Sequence, residues 1–397
     1  MQNPTKKDAI LPVSVMLCMH SLIALCVFVV PVMAPKIGMD AQLISLFVPV
    51  LYLSSTIFTP FSGPFTGRFG PMRMMQSCVL VSSIGVGLCC LGGMAFMFAG
   101  AACIGLSLGL ATPAASDILL RYTPTSIRSL IFSIKQAAVP LGNLIAGLLV
   151  LLAVIIGWQY ALLMIAIVGI AMAFVFQPFQ KNWDEGRDTA SHVAFTWQSF
   201  INAVRTLVAN LPLRWLAISS FAFVLLQIAS ASYLVTYMVQ HIGLTHETAG
   251  MIYAVAFTGS FFARILFGVV ADNFLSPMKT LGLLGIVMGA ASYGIAQYDA
   301  TWPLWLTAFM IFLLAATAAG WNGVYIAEVA SRAPKGQAAN VMGISLVVTY
   351  CGCILTPIVF GTILTFTTND FPFAYSIFAI PAIVVGIRLF LLKVDQE

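Results

Sequence analysis

Twelve long apolar runs constrain the fold of this chain more than any other feature of its sequence. A helix needs about 20 apolar residues to cross the hydrocarbon core of a bilayer, where it satisfies its own backbone hydrogen bonds. Only 8% of the 397 residues are charged, against about 25% in a soluble domain. The runs predict an all-α membrane protein with twelve transmembrane helices in two pseudo-symmetric six-helix bundles. Numbered here as spans 1 to 12, they cover residues 11–33, 42–62, 74–92, 94–117, 129–153, 156–178, 213–238, 248–269, 279–298, 302–327, 338–364 and 371–392.

One long polar interval divides the spans into two groups of six. The sequence therefore predicts an N-terminal bundle over 1–178, a linker over 179–212 and a C-terminal bundle over 213–397. Within the linker, residues 195–211 have the pattern of an amphipathic helix that lies in the membrane interface. Its apolar side carries Trp197, Phe200, Val204 and Leu207.

Basic residues are distributed unevenly among the loops. With an even number of spans both termini share one side, and fifteen of the eighteen Lys and Arg residues fall there. The positive-inside rule predicts cytoplasmic termini, and we expect a multi-pass protein of the cell inner membrane. Because these cations lie between apolar runs, the net charge of +5 does not indicate a nucleic-acid partner. They are Lys6, Lys7, Arg68, Arg73, Arg121, Arg128, Lys181, Arg187, Arg205, Arg214, Lys279, Arg332, Lys335, Arg388 and Lys393.

The two halves repeat a charged pattern at the ends of spans 4 and 10. Asp117 precedes Arg121 by four residues, and Glu328 precedes Arg332 by four residues. A proline and a Gly-rich span follow in both places. Residues four apart share one helix face, so each acid and base can pair locally at the cytoplasmic rim. Repeated six-helix halves with a substrate site between them recur among transporters.

The loops after spans 2 and 8 also match. The first contains Gly63, Gly67, Arg68, Gly70 and Arg73, and the second contains Gly268, Ala271, Asp272, Asn273 and Lys279. With the twelve spans, these loops resemble the major facilitator superfamily over essentially the whole chain. The family's loop signature is roughly G-x-L-A-D-R-x-G-R, from which the first copy departs by Gly67 at the acid position and the second by Asn273 at the arginine position.

The resemblance implies that the loop acid helps to latch helices on the cytoplasmic side, a role open to Asp272 but not to Gly67. We expect the rim residues to break and re-form contacts between helices as the halves move. Exposed pairs contribute little, so this role requires partial burial. The predicted gating residues are Asp117, Arg121, Asp272, Glu328, Arg332, Arg68 and Arg73.

Three groups that are or can become cationic fall within spans: His20, Lys135 and Arg264. Ionisable groups at bilayer depth are costly, and each is therefore a candidate for function. Asp117, Asp272 and Glu328 all fall at predicted span ends. A central cavity with positive charge and no acid would attract an anion.

Arg264 precedes the loop glycine Gly268 by four residues, and resembles the span-8 arginine of monocarboxylate and oxalate transporters, which binds the substrate carboxylate. A guanidinium matches a carboxylate with two parallel hydrogen bonds. The alternative is an arginine that reaches the rim and pairs with Asp272 or Glu328. Lys135, beside Gln136, would supply a second anion contact or exchange protons, or else extend to the cytoplasmic end.

His20 is a candidate ligand or proton relay, because histidine titrates near neutral pH; a structural hydrogen bond is the alternative. Polar and aromatic residues of the second half are candidates for the cavity lining, with packing as the alternative for each. Asn322 lies between glycines in span 10 and has both donor and acceptor atoms. The candidates are Gln227, Tyr233, Tyr237, Tyr253, Trp321, Asn322 and Tyr350.

These features predict a proton-linked symporter or exchanger for a small organic anion, with a carboxylate as its charged group, that works by alternating access. The expected partners are that small molecule and the lipid bilayer, and we expect a monomer. No G-x-x-x-x-G-K-[ST] motif is present, so an ion gradient rather than ATP or a cofactor would supply the energy. The sequence shows no motif of a membrane enzyme. The alternatives are an exporter of neutral or anionic drugs or metabolites, and a membrane sensor that does not transport.

Overall fold

The computed structural model describes residues 4–37, 41–185, 187, 197–334 and 336–392, and within these ranges every regular element is helical. Lys335 and Lys393, which the topology argument used, lie outside the described residues. In chain order the α-helices are α1 (Ile10–Ile37), α2 (Ala41–Phe58), α3 (Ser62–Phe69), α4 (Pro71–Cys89), α5 (Met94–Tyr122), α6 (Arg128–Gln136), α7 (Ala138–Ile156), α8 (Trp158–Val175), α9 (Gln180–Trp183), α10 (Trp197–Ala209), α11 (Leu211–Gln240), α12 (His246–Asn273), α13 (Pro277–Ala296), α14 (Leu304–Gly320), α15 (Asn322–Arg332), α16 (Ala338–Phe366) and α17 (Phe371–Leu391).

Twelve stretches of the described chain are long and apolar enough to cross a membrane, which confirms the predicted number of spans. Eight spans are single helices, and the other four consist of two helices in succession. Span 2 comprises α2 and α3, span 5 comprises α6 and α7, span 6 comprises α8 and α9, and span 10 comprises α14 and α15. The short amphipathic helix α10 lies between the two groups of six, in the predicted place.

The breaks within spans have local causes. In span 5, Pro140 has no N–H to donate to the carbonyl of Gln136, and α6 ends at Gln136. In span 2, the turn Thr59–Phe61 contains Pro60 and separates α2 from α3. In span 10, α14 ends at Gly320 and α15 begins at Asn322, where two glycines weaken the helix.

The loops after spans 2 and 8 are shorter than predicted. The segment 63–69, predicted as loop, forms most of α3, because its one proline, Pro64, lies in the first turn. The helix ends at Phe69, and the next residue, Gly70, has a φ of 93°, a conformation that favours glycine. After span 8, α12 continues to Asn273.

The chain forms two compact units, and each includes one short segment from the opposite half of the sequence. Unit 1 comprises Met1–Thr125, Ile134–Ala209 and Val329–Tyr350, and unit 2 comprises Ser126–Ser133, Asn210–Glu328 and Cys351–Glu397. The start of span 5 therefore belongs to unit 2, and the end of span 10 with the start of span 11 belongs to unit 1. The predicted bundle and linker boundaries stay a prediction.

Close helix contacts at glycine hold each unit together. In unit 1, a Cβ on Gly85 of α4 would lie 2.8 Å from the carbonyl oxygen of Gly100 in α5. In unit 2, a Cβ on Gly282 of α13 would lie 2.8 Å from the carbonyl oxygen of Gly386 in α17. Small residues let helix backbones approach, which is a main source of packing energy between helices in membranes.

Candidate functional site: buried cations at two helix breaks

Lys135 lies at the break in span 5 and is completely buried. Its Nζ donates a hydrogen bond to Oε1 of the adjacent Gln136 at 2.9 Å. Among the described residues, this is the one hydrogen bond of the ammonium group, and no carboxylate lies within salt-bridge distance of it. An unpaired charge at this depth is strongly unfavourable. Lys135 is therefore a candidate for function.

His20 belongs to the same unit and is buried in α1, with 2% of its surface exposed. Helix α1 packs against α7, the second helix of span 5. Its role as ligand or proton relay stays a prediction.

Arg264 belongs to α12 of span 8 and contacts the break in span 10. Its side chain is 3% exposed, and Nε donates to the carbonyl oxygen of Ala319 at 2.6 Å. The same carbonyl accepts a longer hydrogen bond from Nδ2 of Asn322 at 3.4 Å. Because Ala319 is in the last turn of α14, this carbonyl is one of the terminal groups that need partners from outside the helix. Arg264 is thus anchored at the break by its Nε–H, and the alternative of a rim contact with Asp272 or Glu328 stays a prediction.

Gln227 of α11 completes a polar cluster at this break. Its Oε1 accepts from Nε1 of Trp321 at 3.1 Å and from Nδ2 of Asn322 at 3.2 Å. We call Gln227, Arg264, Trp321 and Asn322 the span-10 cluster. The structure therefore brings together four of the predicted binding residues, and it does so within unit 2.

The predicted tyrosines bind backbone groups instead. The hydroxyl of Tyr233 donates to the carbonyl of Pro357 at 3.2 Å, and that of Tyr253 donates to the carbonyl of Ala231 at 3.2 Å. Tyr237 is completely buried, and its hydroxyl donates to the carbonyl of Ile295. These contacts fit packing between helices.

Two further aromatic contacts agree with this. The ring of Tyr253 stacks on Phe257 with centroids 4.2 Å apart. In unit 1, the ring of Tyr350 lies 6.0 Å from that of Tyr52. A substrate contact for any of these tyrosines stays a prediction.

The predicted pair at the end of span 4 is present. Arg121 Nη2 donates to Asp117 Oδ2 at 2.5 Å, and Arg121 Nη1 donates to the carbonyl oxygen of Glu185 at 3.2 Å. The side chain of Arg121 is 37% exposed and that of Asp117 is 23% exposed. A pair at this exposure contributes little by itself.

Asp272 caps the start of α6, within unit 2. Its Oδ1 accepts from the backbone N–H of Ser129 at 3.0 Å, and its Oδ2 from that of Leu130 at 2.7 Å. A carboxylate at a helix N-terminus satisfies free donors and interacts favourably with the helix dipole.

Arg128, the first residue of α6, is a candidate that the sequence argument used only for topology. It interacts electrostatically with Glu328 and Asp272, both of which belong to its unit. Glu328 is 7% exposed. An arginine at the predicted start of a span was the signal available in the sequence.

The remaining predicted gating residues lie in unit 1. Arg332 ends α15, while Arg68 and Arg73 line a cavity beside the start of span 3. A gating role for each stays a prediction.

The described chain has twelve spans, and buried cations lie beside breaks in their helices. This arrangement is typical of polytopic α-helical membrane proteins of the secondary-transporter class. The chain matches the model of the Major Facilitator Superfamily over residues 13–357, and it belongs to that family. It is therefore a transporter rather than an enzyme, and proteins of this family bind small-molecule substrates within the membrane.

Solved structures share this fold at low sequence identity. The fucose:proton symporter FucP of E. coli is 15% identical, with a TM-score of 0.75 over 96% of this chain and 98% of that chain. The human organic anion transporter TETRAN is 13% identical, with a TM-score of 0.76 over 97% and 100%. A bacterial homologue of the iron transporter ferroportin, in an outward-facing state, is 15% identical, with a TM-score of 0.76 over 97% and 98%. No curated protein matches the sequence.

Proposed function

We propose that the protein is a proton-coupled secondary transporter of a small organic anion, with a carboxylate as its charged group. The observation that carries this proposal is Lys135, a completely buried ammonium whose one described hydrogen bond goes to the neutral Gln136. A transported anion would supply the negative charge that the described surroundings of Lys135 lack.

Arg264 supports the same substrate class. Its Nε–H is held by the carbonyl of Ala319, so the guanidinium is fixed in position within the span-10 cluster before a substrate arrives. A pre-oriented guanidinium recognises a carboxylate with less loss of side-chain entropy than a freely moving one. This agrees with the resemblance of Arg264 to the carboxylate-binding arginine of monocarboxylate and oxalate transporters.

The distribution of titratable groups supports proton coupling. The acids within the spans lie near helix ends: Asp117 in α5, Asp272 in α12 and Glu328 in α15. Lys135 and His20 are both buried and lie farther from the span ends than these acids do. A buried lysine and a histidine can each exchange a proton near neutral pH. A protonated Lys135 would hold the anion, and its deprotonation would release it. The charge distribution of the loops also supports cytoplasmic termini in the inner membrane.

Transport by purified protein in liposomes tests this proposal. Uptake of radiolabelled small carboxylates, driven by an imposed pH gradient, should fall at least about tenfold in Lys135→Met, a loss of about 1.4 kcal/mol. The melting temperature should stay equal or rise, because the substitution removes an uncompensated buried charge. Lys181→Met, at an exposed lysine of the same unit, is the matched control.

Lys135→Arg separates binding from coupling. An arginine keeps the positive charge but does not lose its proton in the physiological range. We expect exchange of substrate across the membrane to continue while transport driven by the proton gradient stops. If Lys135→Met transports carboxylates at the normal rate, or if neutral lipophilic compounds alone stabilise the protein, the anion proposal is wrong and the exporter hypothesis takes its place.

A further inference from the structure

Three arginines line one cavity beside the end of span 2, the start of span 3 and the end of span 6. The cavity has a volume of about 380 Å³ and is lined by Arg68, Phe69, Arg73 and Arg187. We call it the arginine pocket. It lies wholly within unit 1, where α3 ends at Phe69 and α4 begins at Pro71. Neither buried cation of the proposed transport site lines it.

Asp184 builds this pocket by joining distant segments. Its Oδ1 accepts from the backbone N–H of Met72 at 2.8 Å and its Oδ2 from that of Arg73 at 3.2 Å, across more than 110 positions of sequence. Oδ2 also accepts from Nε2 of Gln180 at 2.9 Å. The carbonyl of Asp184 then accepts from the N–H of Arg187 at 3.3 Å. This one residue therefore holds Arg187 beside the start of α4.

The carboxylate of Asp184 does not neutralise the arginines. It is 4% exposed and directs its oxygens to the backbone and to Gln180. The side chains of Arg73 and Arg187 are exposed, and within the described part of the chain neither guanidinium has a hydrogen-bonded acceptor or a salt bridge. Three guanidinium groups thus line the pocket, and their planar donors suit phosphate oxygens.

A ladder of phenylalanine rings leads along span 2 to the pocket. The rings of Phe58 and Phe61 lie 6.2 Å apart, those of Phe61 and Phe65 lie 6.0 Å apart, and those of Phe65 and Phe69 lie 6.1 Å apart. Phe69 is 43% exposed, and the guanidinium of Arg68 lies 6.0 Å from its ring centroid. An apolar surface that ends in a cluster of cations at the end of a span has the amphipathic profile of a lipid.

We propose that the arginine pocket binds the phosphate group of an anionic phospholipid, with an acyl chain against the phenylalanine ladder. The cavity is large enough for a headgroup, since ligand pockets have volumes of roughly 300–1,000 Å³. The ladder favours a lipid over free phosphate, which would use only the arginines. Basic residues next to the ends of spans bind anionic lipids by about 1 kcal/mol each.

Binding of short-chain lipids to the purified full-length protein tests the proposal. Dioctanoyl phosphatidylglycerol should raise the melting temperature more than dioctanoyl phosphatidylcholine, glycerol phosphate or inorganic phosphate at the same concentration. Affinity for the phosphatidylglycerol should weaken at least about fivefold in Arg187→Gln and in Arg73→Gln. Lys279→Gln removes a charge from the matching loop after span 8 and should leave the affinity unchanged.

Asp184→Asn distinguishes a built site from general attraction. The variant makes the protein more positive, so simple electrostatic attraction would strengthen lipid binding. A pocket that depends on Asp184 to hold Arg187 would bind the lipid more weakly. If Asp184→Asn does not fold, Arg187→Gln still decides. Equal stabilisation by glycerol phosphate, or equal weakening by Lys279→Gln, would overturn the lipid assignment.

Discussion

The two copies of the repeated loop use their equivalent positions differently. Asp272, four residues after Gly268, caps the start of α6 with both carboxylate oxygens. The equivalent position in the first copy is Gly67, and a Cβ placed there would have no heavy atom within 4 Å. In unit 1, the start of span 11 is instead held by a neutral contact, in which Ser62 Oγ donates to the carbonyl of Ala339 at 3.2 Å.

The helices that follow these loops differ as well. The start of α13 is capped locally by Ser276, whose hydroxyl accepts from the N–H of Lys279 at 3.4 Å. The start of α4 has glycine at that position, Gly70, and depends on the distant Asp184. In each unit a carboxylate caps a helix start: the buried Asp184 caps α4 in unit 1, and the half-buried Asp272 caps α6 in unit 2. The two capped helices are not equivalent, and the two carboxylates come from different parts of the repeat.

The largest effect should come from Asp184→Asn, which breaks the cap in the first half. The amide can still accept one backbone hydrogen bond, but the other N–H of α4 then faces an NH₂ group. A buried donor without an acceptor costs about 1–3 kcal/mol, and we expect a clear fall in melting temperature. Amide hydrogen exchange at Met72 and Arg73 should accelerate. Glu185→Gln, at the exposed neighbouring acid, should change neither measurement.

A smaller effect is expected for Asp272→Asn, which breaks the cap in the second half. This carboxylate is half-buried, and loss of a helix cap costs about 0.5–2 kcal/mol. Exchange at the amides of Ser129 and Leu130 should accelerate, and transport should slow because the cap joins the end of span 8 to the start of span 5. Asn273→Ala alters an exposed neighbour and serves as the control. Unchanged exchange at both amides would contradict the cap.

The smallest effect is expected for Gly67→Asp, which would make the halves alike. The position is exposed and open, so an aspartate fits without displacing a neighbour. Replacing a helical glycine should stabilise by a few tenths of a kcal/mol, but a carboxylate in the last turn of α3 interacts unfavourably with the dipole of that helix. We therefore expect a net change in the free energy of unfolding below about 0.5 kcal/mol. Gly67→Asn has the same size without the charge. If both variants raise the melting temperature equally, the missing acid has no electrostatic role, and the gain reflects helix propensity alone.

Much of the fold was predictable because its signals are local. The twelve spans follow from apolar runs of about 20 residues, and the pair Asp117–Arg121 follows from its i, i+4 spacing, which the structure contains. The prediction of loop over 63–69 was wrong because apolar content alone does not show that α3 continues to Phe69.

The candidate sites were predicted less completely. Lys135 and Arg264 stood out because charge is rare within spans, and both are buried. Gln227, Trp321 and Asn322 were separate candidates, and their union in one cluster depends on how α11 packs beside the break in span 10. Their pattern in the sequence is equally compatible with packing.

The sequence by itself determined that this chain has twelve spans, that it resembles the facilitator transporters and that the ionisable groups in the middle of its spans are cationic. Each of these properties can be determined from short stretches of neighbouring residues. The tertiary structure alone decided which helix starts are capped by distant carboxylates: Asp184 caps α4 and Asp272 caps α6. These contacts join residues more than 110 positions apart, and their energy comes from burial and donor–acceptor geometry that only packing creates.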